Sequence, residues 1–362
     1  MPNPVCVDLS LGGELSAALA RAGRIGIDTE FMRESTFFSQ LCLLQVSAGD
    51  SIYCVDPLAG TDSDTGSSWS KLLTVPWVLH SGRQDIEVVY QTAGVMPTCV
   101  FDTQIAAGLL GYQPQLGYAS LVAELFDVQL AKSHTRADWS KRPLTGDLLE
   151  YAAEDVLYLL PAHDILGRRL AELGRIEWAE QDSAELLQPA LYDINPATAV
   201  EKLRGARNLQ GVARNISVRL AAWREQEALR SNRPRQWIAK DSVLLDIASS
   251  RPESAEELAA IHGMSERTVR RASSAILSAV QSGTTDAHDY QAPDRPDEEQ
   301  KALLKKLHKY TSGVAHELGI ASEIIAPKKD LSAAISGTRS GRLFRGWRAE
   351  IIGDKILDLL DS

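Results

Sequence analysis

Several residues stand at spacings that allow acid chemistry at a shared site. Asp28 and Glu30 lie two apart in "GIDTEF", residues 26–31, which has the pattern of a buried strand. Alternate side chains of a strand project from the same face, so the two carboxylates are neighbours. Burying two like charges costs free energy unless a positive partner stands between them. The stretch therefore needs either a basic side chain, such as Arg24 or Arg33, or a bound cation.

Two later segments supply further candidates. Asp85, in "HSGRQDIEVVY", opens a predicted helix directly after the strand "PWVLHS". Tyr151 and Asp155, in "YAAEDVLYL", are four apart and share one face of a predicted helix. Each of these residues has a simpler explanation in isolation. Asp85 could be an acid favoured by the helix dipole, Tyr151 a core aromatic and Asp155 a solvated acid. Their occurrence together, in this order, indicates a joint site.

This arrangement resembles the signature of the DEDD exonucleases. That family carries an acid-x-acid pair on its first strand, an aspartate at the head of a middle helix and Tyr-x-x-x-Asp on a late helix; the tyrosine marks the DEDDy subclass. The stretches "DTEFMRESTFFSQLCLLQVS", "HSGRQDIEV", "FDTQIAAGLLGY" and "KSHTRADWSKRPL" extend the resemblance to the ribonuclease D family. It implies a metal-dependent 3′→5′ exoribonuclease that trims tRNA precursors and other small RNAs and releases nucleoside 5′-monophosphates.

The resemblance also implies roles for the site residues. Two divalent ions, Mg²⁺ or Mn²⁺, would be held by the four acids, whose negative charges balance those of the ions. Asp28 would bridge both ions, and Glu30 and Asp155 would complete the site of the attacking water. Asp85 would support the leaving-group site through waters. Tyr151 would orient the nucleophile, because a phenol with a pKa near ~10 is a poor base at neutral pH.

Substrate contacts are expected beside these acids and in the loop before the last helix of the nuclease. Phe31 would stack on the terminal base or belong to the core. Thr29 would line the pocket with its main chain, because strand alternation turns its side chain away from the acids. In the loop, basic residues interleave with an aromatic, which suits single-stranded RNA and also a merely solvated loop. The expected contacts there are Lys132, His134, Trp139 and Arg142.

The predicted fold is an α/β nuclease domain followed by helical domains. Short strand-like runs extend to about residue 105, with the first three antiparallel and the fourth parallel to the first, and helical periods follow. The resemblance implies a ribonuclease H-like domain with a mixed five-stranded sheet and flanking helices, then two small all-α domains of the HRDC (helicase and RNase D C-terminal) type. The expected ranges are 1–192 for the nuclease, 197–283 for the HRDC domain, 284–299 for a linker and 300–362 for a second HRDC-like domain.

The charge and composition of the chain indicate whether it could bind nucleic acid. The formal net charge of −10 argues by itself against nucleic acid, but residues 201–240 carry ten Lys and Arg against three Asp and Glu. This basic segment is either an RNA clamp or a solvated helix face. The residues expected to contact RNA there are Arg204, Arg207, Arg214 and Lys240. With no signal peptide, no membrane-length apolar run and no C-x-x-C pair among four cysteines, we expect a cytoplasmic monomer.

Two other functions are compatible with these features. A catalytically silent RNA-binding protein could keep the same fold, although a scaffold without activity has no need of converging acids. A DNA-directed 3′→5′ exonuclease could use the same residues, although no polymerase or helicase region is attached.

Overall fold

The computed structural model describes residues 4–8, 13–59, 65–130, 137–286 and 296–361, without the side chains of residues 65–68. The chain divides into two compact units. Unit 1 comprises Met1–Met32, Gln40–Tyr192 and Pro296–Ser362. Unit 2 comprises Arg33–Ser39 and Asp193–Arg295.

A mixed sheet forms the centre of unit 1. Its strands in the described residues are β1 (Val5–Asp8), β2 (Ile25–Met32), β3 (Gln40–Ala48), β4 (Ser51–Asp56), β5 (Trp77–Leu79) and β6 (Val100–Asp102). They lie in the order β1-β4-β3-β2-β5-β6, and only β3 runs antiparallel to its neighbours. The predicted antiparallel pairing of β2, β3 and β4 is confirmed, as is the parallel pairing of β5 with β2.

The sheet has six strands, so the prediction of five is wrong. The strand that was missed is β1, which has four residues, is mostly exposed and pairs with β4 at the edge. An edge strand with little core to cover lacks the alternating apolar pattern by which strands are recognised in a sequence.

Helices account for most of the remaining chain. The α-helices are α1 (Glu14–Arg21), α2 (Thr65–Thr74), α3 (Arg83–Ala93), α4 (Thr103–Leu109), α5 (Tyr118–Phe126), α6 (Gly146–Leu157), α7 (Leu159–Glu172), α8 (Ile176–Ala184), α9 (Gly211–Ser231), α10 (Arg235–Ile238), α11 (Asp241–Ser250), α12 (Ala255–Ala259), α13 (Glu266–Thr285), α14 (Glu298–Leu318), α15 (Ser322–Ile325), α16 (Lys328–Ile335), α17 (Gly346–Arg348) and α18 (Asp354–Leu360). Short 3₁₀-helices occupy Glu185–Leu187, Pro189–Leu191, Pro196–Lys202, Ala206–Asn208 and Arg342–Phe344, and a π-helical turn spans Ala349–Gly353. In the described part of the chain, none of the helices has the length and apolar character that a membrane span requires.

The sheet is covered on both faces by helices. Ile27 of β2 lies in one buried cluster with Leu19 of α1 and Ile86 of α3. In a second buried cluster, Val78 of β5 packs with Leu159 of α7. The central strand β3 is buried along nearly its whole length, as expected for a strand between two helical layers.

A glycine allows one helical layer to approach β2 closely. A Cβ atom on Gly26 would lie 2.2 Å from the Ser47 Oγ and 3.1 Å from the Leu159 Cβ. Any larger residue would push the start of α7 away from the strand. The preceding helix α6, which carries Tyr151 and Asp155, packs on the sheet through Ala152, which is buried with Cys42 of β3.

The C-terminal helices share a core with the nuclease region. Leu307 and Trp347 lie in one buried cluster with Leu109 of α4 and Leu170 of α7. The indole rings of Trp347 and Trp178 are stacked with their centroids 4.4 Å apart. We predicted a separate domain here because an amphipathic helical pattern does not show which surface its apolar face covers.

A buried carboxylate joins α8 to these C-terminal helices. Asp182 is 8% exposed and accepts hydrogen bonds from both terminal nitrogens of Arg348, at 2.5 and 2.7 Å. It also accepts a hydrogen bond from the indole N–H of Trp347 at 3.1 Å. Arg348, itself buried, donates further to the main-chain carbonyls of Ile324 and Ile325. Removing one member of such a pair is costly because the other charge stays buried.

The substitution Arg348→Ala should therefore destabilise unit 1 by about 3–5 kcal/mol, because the carboxylate of Asp182 loses its main partner. Urea unfolding followed by circular dichroism measures this loss. Arg339→Ala is the control, since Arg339 is exposed and contacts the ring of Phe344 in the same C-terminal segment. An Arg348→Ala variant as stable as the control variant would contradict the prediction.

Unit 2 is a helical unit in which α9 and α13 pack together. Ile216 and Leu220 of α9 share a buried cluster with Ile276 and Val280 of α13. The predicted linker at 284–299 begins inside α13 and ends inside α14, and residues 287–295 of it lie outside the described residues.

Candidate active site

Three elements bring the predicted acids to one region of unit 1. Asp28 and Glu30 belong to β2, Asp85 lies in the first turn of α3 and Asp155 lies in α6. The register of β2 against β3 changes between Glu30 and Phe31. Such a bulge bends a strand and redirects the side chains beside it, and bulges are frequent next to active sites.

The carboxylates act on one another electrostatically. Burial, followed by the charges of Asp85, Asp155 and Glu30, raises the pKa of Asp28 well above its ordinary value. Burial, followed by the charges of Asp155 and Asp85, raises the pKa of Glu30 to about 8. Because charges act on one another this strongly only at short range, acids that are distant in the sequence share one site.

The two remaining acids are shifted in the same direction. Burial raises the pKa of Asp155 to about 7, and the charges of Glu154 and Asp85 add to the effect. Burial raises the pKa of Asp85 to about 6, while a hydrogen bond from Thr29 opposes the rise. In all four groups the ionised form is therefore less favourable than in water, and a bound positive charge would offset this cost.

The donor set fits a divalent cation that keeps part of its water. Arg24, one of the basic partners considered from the sequence, instead contacts His163 and forms an ion pair with Asp164 at 3.2 Å. The charges that raise the pKa of Asp28 and Glu30 are carboxylates, and carboxylate oxygens are the ligands that Mg²⁺ and Mn²⁺ prefer. Among the described residues, no three Asp, Glu, His or Cys side chains are close enough to hold a metal ion by themselves. Water or substrate oxygens would therefore complete the coordination, as is usual for Mg²⁺.

Asp85 is held in place through its side chain and through the main chain before it. The hydroxyl of Thr29 donates to the Asp85 Oδ1 at 2.5 Å, and both residues are buried. The carboxylate of Asp102 accepts hydrogen bonds from the N–H groups of Ser81 and Gly82, at 3.0 and 2.9 Å. Asp102 thereby fixes the turn from which α3 begins. Sequence reasoning missed the contact from Thr29, because strand alternation describes one sheet face and not the helix beyond it.

The turn before Asp85 has a demanding backbone. Ser81 adopts a left-handed conformation with φ 59°, which few residues other than glycine adopt. A Cβ atom on Gly82 would lie 2.7 Å from the side chain of Leu79. The segment "HSGRQD" therefore allows α3 to begin immediately after β5, and only the glycine gives a visible signal of this in the sequence.

Tyr151 lies one helical turn before Asp155. It is half-buried, and its ring is beside that of Trp139 with the centroids 6.2 Å apart. Burial and the charges of Asp155 and Glu30 raise the pKa of its hydroxyl further above the ordinary value. The phenol therefore keeps its proton at neutral pH and can donate a hydrogen bond.

The predicted substrate contacts in the loop before α6 meet different outcomes. Trp139 is 3% exposed and packs with Cys42 and Ala152, so the prediction that its ring contacts RNA is wrong. Arg142 pairs with both carboxylate oxygens of Asp56, at 2.6 and 2.7 Å, and donates to three main-chain carbonyls, which leaves its predicted RNA contact without support. Both side chains were misjudged because sequence composition does not distinguish a loop exposed on the surface from a loop that packs against the core. Lys132 and His134 lie outside the described residues.

The two candidates beside the acids are only partly available. Phe31 is half-buried and packs against the core cluster of the sheet, so both alternatives considered for it stay open. The side chain of Thr29 is engaged with Asp85, and only its main chain remains as a candidate for contact with substrate.

Comparisons with known proteins identify the family. Residues 8–171 match the model of a 3′-5′ exonuclease family, and residues 213–280 match the HRDC domain. A ribonuclease D from Xanthomonas oryzae pv. oryzae is 33% identical over 362 residues, which covers 100% of this chain and 99% of that protein. The chain belongs to the ribonuclease D family. A ribonuclease D from Nitrobacter hamburgensis is 36% identical, with 96% of this chain and 93% of that protein covered.

A solved structure of a ribonuclease D agrees with the fold as well. The crystal structure of Escherichia coli RNase D, described as an exoribonuclease involved in structured RNA processing, has 28% identity and a TM-score of 0.86, and 96% of this chain and 95% of that chain are covered. The chain is thus a 3′→5′ exoribonuclease of the ribonuclease D family, and no comparison favours the silent or DNA-directed alternatives. One region matches the HRDC model, so the prediction of a second HRDC-like domain is wrong.

The acid cluster should make the metal-free protein less stable as the pH rises. In the folded state the pKa values of Asp85, Asp155 and Glu30 are raised to about 6, 7 and 8, above the values of an unfolded chain near ~4. The folded protein therefore retains protons that the unfolded chain has lost, and stability falls as these groups ionise. We expect the Tm in EDTA to fall between pH 5 and pH 8, and Mn²⁺ to raise it more at pH 8.

Asp155→Asn is the control for this pH dependence. The amide removes one charge from the cluster at nearly constant shape, so the fall in Tm between pH 5 and pH 8 should become smaller. Differential scanning fluorimetry of both proteins with and without Mn²⁺ provides the comparison. An unchanged pH profile in the variant would show that other groups cause the fall.

Removing the hydroxyl of Thr29 should weaken metal binding. Thr29→Val keeps the shape of the side chain but removes the hydroxyl that donates to Asp85, and the loss of a hydrogen-bond partner to a metal ligand typically costs 10–100-fold in affinity. We expect a fall of about this size in Mn²⁺ affinity, measured by calorimetry on the RNA-free protein, and near-normal binding for Thr29→Ser. Thr311→Val is the control, because Thr311 is equally buried but donates only to the main-chain carbonyl of His308. Equal affinity in Thr29→Val and the control would remove the role assigned to this hydroxyl.

Proposed function

We propose that this exoribonuclease removes nucleotides one at a time from the 3′ ends of tRNA precursors and other small structured RNAs and releases 5′-monophosphates, with two divalent ions held by Asp28, Glu30, Asp85 and Asp155. The observation that carries the metal assignment is that burial, followed by nearby carboxylate charges, raises the pKa values of all four acids. A site that becomes favourable in its ionised form only with added positive charge suits bound cations. The processing of structured RNA by the Escherichia coli relative supports the substrate class.

The residues of the site have separate tasks in this proposal. Bound divalent ions would supply an activated water and stabilise the charge that develops on the phosphodiester. Asp28, Glu30 and Asp155 would hold an ion on the side of the attacking water, and Asp85 would support the side of the leaving group. Tyr151 keeps its proton and orients the water by a hydrogen bond, because its raised pKa prevents it from acting as a base.

The proposed RNA contacts combine the site and unit 2. Near the acids they are Phe31, the main chain of Thr29, Lys132 and His134. In unit 2, Arg204, Arg207 and Lys240 are exposed, whereas Arg214 donates to the main-chain carbonyl of Leu209. Exposed basic side chains attract phosphates without reading sequence, so this contribution falls as the salt concentration rises.

The remaining assignments are also proposals. We place the nuclease domain in residues 1–192 and the HRDC domain in 197–283, with the linker beginning at 284. We also propose a monomer and a cytoplasmic location; the four cysteines, which are free thiols, support the location only.

Asp28→Asn should abolish hydrolysis without abolishing RNA binding. We expect the rate on a 3′-labelled oligoribonucleotide with Mg²⁺ or Mn²⁺ to fall by more than about 100-fold, which is the upper end of the loss caused by removing a mere neighbour of a metal ligand. Binding of the same RNA, measured by fluorescence anisotropy, should persist. Tyr151→Phe should lose less activity, since the water keeps its other contacts.

Two results would count against this function. Wild-type protein that leaves the RNA intact with every divalent ion tested would exclude the nuclease. A Tyr151→Phe variant as inactive as Asp28→Asn would show that the phenol does more than orient the water.

A further inference from the structure

One tryptophan of unit 2 is presented to solvent. The side chain of Trp237, in α10, is 59% exposed, the highest value for a large hydrophobic side chain in the described residues. Four other tryptophans, Trp69, Trp77, Trp139 and Trp347, are at most 5% exposed. An exposed tryptophan leaves a large apolar surface in water, which is unfavourable unless a partner covers it.

The segment that carries Trp237 is fixed by buried ion pairs on both sides of it. Arg235 pairs with both carboxylate oxygens of Glu225, at 2.5 and 2.6 Å, and Glu225 is 2% exposed. Arg224, equally buried, donates to Asp241 at 2.6 Å and to the main-chain carbonyl of Ala239. These pairs connect α9 with the residues before and after Trp237.

A second set of contacts holds the turn before α10. Asn232, with φ 47°, ends α9, and its side-chain oxygen accepts hydrogen bonds from the N–H groups of Phe37 and Phe38, at 3.0 and 3.1 Å. The guanidinium of Arg235 lies over the ring of Phe37, 4.5 Å from its centroid. Unit 2 thus orders this short helix strongly while leaving its largest side chain outside the core.

The charges around Trp237 favour a polyanion. The stretch "ALRSNRPRQWIAK", residues 228–240, contains four basic residues and no acidic one. Arg230 pairs with Glu227 and Arg235 pairs with Glu225. Arg233 and Lys240 are exposed, and neither forms an ion pair with another described residue. An exposed aromatic ring with exposed basic residues on both sides of it in the sequence suits single-stranded nucleic acid, which proteins bind through stacked bases and contacts to phosphates.

We propose that Trp237, flanked by Arg233 and Lys240, is a stacking site for an unpaired base of the RNA substrate. The indole ring covers the base, and the two cations contact the adjoining phosphates. Contacts of this kind tolerate any base, because every base has a π-face. The proposal rests on the proposed function insofar as the nuclease site supplies the reason for RNA to be bound.

The test measures RNA binding in EDTA, where hydrolysis does not contribute. Stacking of one base is worth ~1–3 kcal/mol by alanine substitution, so Trp237→Ala should weaken the binding of a single-stranded oligoribonucleotide by about 5- to 150-fold. Trp237→Phe should restore most of the affinity. Lys240→Gln should weaken binding of all sequences alike and reduce the slope of log affinity against log salt by about 1. Leu173→Ala is the control, because Leu173 is 55% exposed in unit 1.

The outcomes separate this site from the nuclease itself. With Mn²⁺, Trp237→Ala should raise the KM for the longer RNA and leave kcat unchanged, since Trp237 has no part in the chemistry. Full RNA affinity in Trp237→Ala would overturn the proposal. If that variant also lost self-association in analytical ultracentrifugation, Trp237 would instead contact a second copy of the chain. An inactive wild-type protein that still requires Trp237 for binding would refute the nuclease function and leave the stacking site standing.

Discussion

The repulsion among four carboxylates is the constraint on which the rest of the structure depends. Asp28 and Glu30 cannot separate because β2 lies within the sheet and is covered by helices on both faces. Asp155 cannot withdraw because its neighbours Ala153 and Val156 on α6 are buried in one cluster with residues of the sheet. Apolar packing therefore buries like charges together, and the cost of burial, followed by that of repulsion, appears as raised pKa values that a bound cation would lower.

The support of Asp85 extends to the C-terminal helices. Asp102, which fixes the start of α3, donates its own main-chain N–H to the hydroxyl of Ser183 at 3.0 Å. Ser183 follows Asp182, the residue that Arg348 and Trp347 bind. The C-terminal segment is thus joined, through α8, to the backbone that positions Asp85, a proposed metal ligand. This connection gives the last part of the chain a structural reason to pack on the nuclease.

The sequence predicts those features that depend on residues near one another in the chain, and it does not predict contacts between distant residues. The acid pair of β2, the helix start at Asp85 and the shared helix face of Tyr151 and Asp155 follow from spacing alone, and the structure brings these residues together. Trp139 was misjudged because burial is decided by residues far away in the chain, here Cys42 on β3. The edge strand β1 was missed because it has little core to cover. The bond from Thr29 to Asp85 joins residues 56 positions apart, and no periodicity reports such a contact.

The two units differ in the sign of the charge that they would present to RNA. In unit 2 fewer basic residues are available to phosphates than the sequence contains, because Arg224 and Arg235 form buried ion pairs. In unit 1 the acid cluster repels a phosphodiester as long as no cation is bound. Under the proposed function, affinity for the body of an RNA would therefore persist without metal through the exposed basic and aromatic side chains of unit 2. Entry of the 3′ end into the acid site would require divalent ions, so metal would control the reacting end of the RNA more than the binding of the whole molecule.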